Sequence, residues 1–94
     1  MTSNAANPPL TLRLFVAGEA PNSRKARENL KRVCGTLPHG TAKVEIIDVD
    51  AEPERALENH IFVTPALQVL DPTPGTILYG NLSNEQALLD LLKS

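Results

Sequence analysis

The chain is poor in several residue types at once. Its 94 residues include one cysteine, no tryptophan, one tyrosine and two phenylalanines. With Cys34 alone no internal disulfide can form, and a lone thiol fits a reducing compartment. With aromatics at 3%, the core has to be aliphatic, built from Leu, Val, Ile and Ala. Positive charge is not in excess either: 9 Lys and Arg stand against 11 Asp and Glu, for a formal net charge of −2. That balance lacks the clustered basic surface that nucleic acid calls for. No run approaches the about 18 apolar residues of a membrane span, and Met1 to Pro9 holds no apolar leader segment. A soluble cytoplasmic protein is the expectation.

Catalytic constellations are equally scarce. There is no Gly-rich phosphate loop. His39 lies in a Pro-His-Gly turn and His60 at a helix end, where a cation is mildly favoured. Neither belongs to a cluster with ligand spacing, so no metal or cofactor is expected. Asp48 and Asp50 flank Val49, where turn and capping roles suffice for them.

What is present is a clear alternation of element types. Met1 to Pro9 reads as a disordered lead-in, and residues 10–94 as one domain. From Leu10 to Ala17, Leu10, Leu12, Leu14 and Val16 share one face, while Phe15 and Ala17 partly cover the other. A strand apolar on both faces belongs inside a sheet with helices packed on it. Asn22 or Ser23 is placed to cap the next helix, whose stripe is Ala26, Leu30, Val33, Cys34 and Leu37. Val44 to Val49 is a β-branched second strand, parallel to the first across a right-handed crossover. Asp50 is placed to cap a second helix, with Ala56, Leu57 and Ile61 facing inward. Ala66 to Leu70 and Thr76 to Tyr79 flank a Pro/Gly-rich turn and form a hairpin. Ser83 and Gln86 have capping-box spacing, with Leu82 and Ala87 at staple spacing, and the Leu-rich last helix follows.

The order βαβ, α, ββ, α is the thioredoxin-like arrangement: an α/β fold with a mixed four-stranded sheet and helices on both faces. In that fold the proline before the third strand is usually cis, which favours a cis Thr64–Pro65 bond. The C-x-x-C pair that serves thioredoxin chemistry is absent. The loop reads Ala20-Pro21-Asn22-Ser23-Arg24, and Cys34 lies about three turns later, on the apolar stripe. Cys34 therefore reads as a small packing residue, not a redox group. Arg24, Lys25 and Arg27 at the start of the first helix are candidate contacts for an acidic partner; a solvated helix face is the plainer reading of each.

Several segments resemble the KaiB family. Leu12-Arg13-Leu14-Phe15-Val16-Ala17-Gly18 followed by Pro21-Asn22-Ser23 is similar to the signature L-x-L-[YF]-V-A-G-x-x-P-N-S. Ile47-Asp48-Val49, Thr64-Pro65 and Gly80-Asn81-Leu82-Ser83 resemble the later landmarks I-D-V, A-T-P and G-D-L-S. The likeness runs from about Leu10 to Leu92. It implies a non-enzymatic interaction module of the circadian clock. The implied partners are the KaiC ATPase and, with it, KaiA or the kinase SasA, whose sensor domain is a more distant relative. The family also implies two folds, a tetrameric ground state and a monomeric thioredoxin-like state that binds KaiC. Pro65, Gly80, Asn81 and Ser83 belong to the segments that bear on fold state.

The resemblance also marks departures. Glu45 and His60 stand where the family usually has Lys, and Thr76 and Ile77 where it has an Arg pair. Asn81 replaces an Asp, whereas Lys25 keeps a basic position. Together, Arg24, Lys25, Arg27, Lys43, Glu45 and His60 are the partner-binding candidates. The helix-forming segments Ala51 to Glu58 and Ser83 to Lys93 favour the thioredoxin-like, monomeric arrangement. An adaptor for a different partner, such as a signalling kinase, is the alternative reading.

Overall fold

A computed structural model describes residues 10–38, 40–71 and 74–93. The lead-in expected over Met1 to Pro9, and His39, lie outside the described residues. The elements are β1 (Leu10–Val16), α1 (Pro21–Cys34), β2 (Ala42–Asp48), α2 (Pro53–Glu58), β3 (Ala66–Asp71), β4 (Ile77–Tyr79) and α3 (Glu85–Lys93). The sheet order is β2-β1-β3-β4. β1 runs parallel to β2, and β3 is antiparallel to both β1 and β4.

The doubly apolar strand β1 takes an interior position, as its composition demands. Its even-numbered residues Leu10, Leu12, Leu14 and Val16 enter a core beneath α1 and α3. There they meet Ala26, Leu30, Val33, Leu88 and Leu92. Phe15 points the other way, into a smaller cluster with Ile47, Ala56, Ile61 and Ala66 beneath α2. Arg32 and Glu85, 3.5 Å apart, link α1 to α3 at the surface.

The turns show how local chemistry was redistributed. No side chain caps α1; Pro21 fills its first turn, where its missing N–H costs nothing. Ser23 is buried, and its Oγ accepts the Ala17 N–H at 2.9 Å, closing the β1–α1 loop from inside the helix. Asp50 does not cap α2, whose N-cap is Glu52 without a side-chain bond. It is Asp48 whose Oδ1 accepts the N–H groups of Gly18 and Asp50, at 3.1 and 3.0 Å. At α3 the capping oxygen comes from Asn84, which accepts the Ala87 N–H at 3.0 Å, in place of Ser83. Asn81 Oδ1 takes the Ser83 N–H instead. Leu82 is buried beside Leu88 in spite of a positive φ of 63°, so apolar burial offsets the backbone cost.

Helix α2 ends in a Schellman motif. The Ile61 N–H reaches the Ala56 carbonyl at 2.8 Å and the His60 N–H reaches the Leu57 carbonyl at 3.1 Å. His60 occupies the left-handed position, with φ 58°, where glycine is the usual choice. Ala56 and Ile61 turn inward as expected, but Leu57 does not: it is 62% exposed. A six-residue helix presents too narrow a face to bury both neighbours. The Thr64–Pro65 peptide is cis, as expected.

Candidate functional site

The six partner-binding candidates do not share one surface. Arg24, Lys25 and Arg27 lie on the α1 side of the sheet, and Lys43, Glu45 and His60 belong to β2 and the end of α2 on the other side. At the start of α1, Glu19 sits 3.1 Å from Arg27 and 4.0 Å from Arg24. Arg27 also donates to the Gly18 carbonyl at 3.1 Å, so it fixes the loop. Lys25 is the exposed cation of this group without an ion pair among the described residues.

Glu45 is the best-tied residue of the second group. The register places it opposite Arg13 of β1, and Arg13 opposite Gln68 of β3, in one row across the sheet. Arg55 of α2 approaches from above and donates two bonds to the Glu45 carboxylate, at 2.6 and 3.1 Å. Arg13 Nε adds a third at 3.3 Å. Asn59 completes the row, accepting from Arg13 and Gln68 at 3.4 Å each and donating to the Arg55 carbonyl at 2.8 Å. The Glu45 acid thus clasps a helix and two strands. Sequence reasoning singled out Glu45 but missed Arg13, Arg55, Asn59 and Gln68.

The Arg55 hydrogen bonds, with the nearby positive charges, hold the Glu45 carboxyl below the usual glutamate range. A carboxylate with a depressed folded value adds stability above its unfolded value, and loses it as pH falls through the folded one. Glu45→Gln is therefore expected to be less stable than the parent at pH 7. The gap should close as pH falls below the usual glutamate range, as measured by urea unfolding at a series of pH values. A gap that persists unchanged in acid would assign the clasp to shape, not charge.

Beside this row lies an apolar surface. Leu57, Phe62 and Val63 are 62%, 74% and 61% exposed, and all three belong to α2 and the segment leading to Pro65. Tyr79, half-exposed, pairs with Ala66 at the start of β3. The Gly80 N–H bonds the Pro65 carbonyl at 3.0 Å, and the Asn29 side chain bonds the Asn81 carbonyl at 2.9 Å. These bonds lock the 80–81 turn between the Pro65 segment and α1. Clustered exposed apolar side chains mark an interaction surface more often than scattered ones.

No group of three or more His, Cys, Asp or Glu among the described residues could hold a metal ion. Cys34 is half-buried against the larger core, and burial pushes its thiol up, away from the reactive thiolate. No described helix is long and apolar enough to cross a membrane.

A family model, the KaiB domain, matches residues 13–94. The chain belongs to the KaiB family. The circadian clock protein KaiB3 of Synechocystis sp. is 38% identical over 80 residues, covering 85% of this chain and 78% of that one. The circadian clock oscillator protein KaiB of Parasynechococcus marenigrum is 36% identical over 78 residues, covering 83% and 75%. Among solved structures, the N-terminal domain of SasA from Synechococcus elongatus superposes with a TM-score of 0.74 at 25% identity, covering 97% of this chain and 87% of that one. A mutant thioredoxin from Halobacterium salinarum reaches 0.76 at 23% identity, covering 96% and 76%. The fold is thus thioredoxin-like. In this KaiB-family chain Glu45 meets two arginines, Arg13 and Arg55.

Proposed function

We propose that this KaiB-family chain is a non-enzymatic interaction module that binds a KaiC-type ATPase in a circadian clock or a related signalling system. Family membership supports the partner class, and one observation supports the surface: the exposed stretch Leu57, His60, Phe62 and Val63 beside the Lys43 and Glu45 face of β2. Apolar anchors rimmed by charge suit a protein partner. KaiA or a SasA-like kinase would join or compete through the same complex. A single copy, residues 10–94, is the binding unit, and the cytoplasm is its setting.

Size-exclusion chromatography of the full chain mixed with a KaiC-type hexamer tests this. Co-elution at about 50 μM is expected, within the range of a weak, transient interface. No complex at several hundred micromolar would overturn the reading. The second reading is an adaptor for a signalling kinase, favoured by the likeness to the SasA N-terminal domain. Binding to such a kinase, with none to the ATPase, would select it.

A further inference from the structure

Strand β2 is an open edge of the sheet, seven residues long, and nothing described covers it. The other edge, β4, has only three residues. Natural edges are blunted by shortness, proline, bulges or charged side chains, and of these β2 carries only the exposed charges of Lys43 and Glu45, both on one face. β2 has no proline, and its pairing with β1 runs without a register shift from Ala42 to Asp48.

The direction of its free groups follows from the bonds at its ends. Thr41 accepts from Leu10, and Val49 donates to Val16, so the odd-numbered positions of β2 bond inward to β1. Ala42, Val44 and Ile46 therefore turn their N–H and C=O groups outward. Their side chains lie on the α1 side, where Val44 is 37% and Ile46 51% exposed. Those two residues border an open apolar groove of about 420 Å³ with Leu30, Cys34 and the stems of Arg27 and Lys31. On the opposite face the exposed charges are Lys43 and Glu45.

We propose that β2 pairs with β2 of a second copy, antiparallel, about a two-fold axis at Val44. Outward groups must face outward groups, so only every second register forms hydrogen bonds. Centring on Lys43 sets Lys against Lys, and centring on Glu45 sets Glu against Glu. Centring on Val44 sets Lys43 of each copy opposite Glu45 of the other, in the close, non-hydrogen-bonded positions. Val44 then meets Val44, and Ile46 meets Ala42 beside the groove. Glu45 can accept the extra cation: Oε2 takes one bond from Arg55 and keeps a lone pair. The surface is thus self-complementary in charge, hydrogen bonding and shape, as a two-fold interface requires.

Seven-residue strands bury less than the about 1,200–2,000 Å² of a stable interface, so the pair exchanges, with a dissociation constant on the order of 100 μM. The monomer expected from family likeness is then the partner-bound form, because pairing covers Lys43 and Glu45. Pairing of the two β2 edges is independent of which partner the chain binds.

Sedimentation velocity of the full chain from 10 μM to 1 mM reads the association directly. The weight-average mass is expected to rise from 10.2 kDa toward twice that value. Lys43→Glu places four carboxylates across the axis and is expected to weaken the pair at least ten-fold. In a Cys34→Ala background, Val44→Cys is expected to give a disulfide-linked dimer on mild oxidation, since it faces itself, whereas Ile46→Cys is not. A chain that stays at the monomer mass to 1 mM overturns the proposal, as does an edge taken only by a foreign protein. Equal cross-linking of Ile46→Cys, or association indifferent to Lys43→Glu, overturns the register and with it the argument.

Discussion

Phe15→Ala is expected to cost about 3–5 kcal/mol of folding stability, a large share of the 5–15 kcal/mol typical of a domain. Phe15 is fully buried on the interior strand, and it is the one large aromatic in the core beneath α2. Its neighbours there are Ile47, Ile61 and two alanines, Ala56 and Ala66. Alanines cannot swing in to fill the void, so the site collapses poorly and the cavity cost is kept. In a domain of this size the melting temperature should fall by roughly 15–30 °C. Urea and thermal unfolding followed by circular dichroism measure both quantities. Phe15→Leu, which keeps most of the volume, should cost much less. A loss below about 1 kcal/mol for the Ala variant would mean that the α2 layer is not packed as described.

Phe62→Ala should behave in the opposite way, sparing the fold and harming the complex. The ring is 74% exposed, so its removal leaves little cavity and the melting temperature should barely move. At an interface a centrally buried aromatic commonly contributes about 2 kcal/mol or more, which is roughly a 30-fold change in affinity. Titration of the KaiC-type hexamer with parent and variant, read by calorimetry, checks the pair of expectations. Unchanged affinity would move the partner surface away from the Pro65 segment.

Much of the architecture was legible because β1 is apolar on both faces and the helices carry apolar stripes. Edge and interior positions were harder to separate. Val44, Ile46, Ile47 and Val49 look like a buried strand in sequence, yet Ile46 is half-exposed because no strand flanks β2 on its outer side. Caps were read one residue or one element away from where they act: Ser23 serves a strand end, and Asn84 does the work expected of Ser83. Short polar side chains near a helix start have several N–H groups within reach, and loop geometry decides among them. The Glu45 clasp had no local signature at all. Arg13 is 32 residues away and Arg55 is 10, and only the parallel register and the docking of α2 bring them together.

The two cores are unequal, and that inequality shapes how the molecule opens. One face of the sheet is sealed by two helices over a long row of leucines, while the other is closed by a six-residue helix over five buried side chains among the described residues. Amide hydrogen exchange reads such differences as separate opening energies. The α2 layer is expected to open with its own short helix and its surface clasp, at a fraction of the cost of global unfolding, while β1 and the α1–α3 side stay closed. The face proposed for the partner is then also the face with the most freedom to adjust to it.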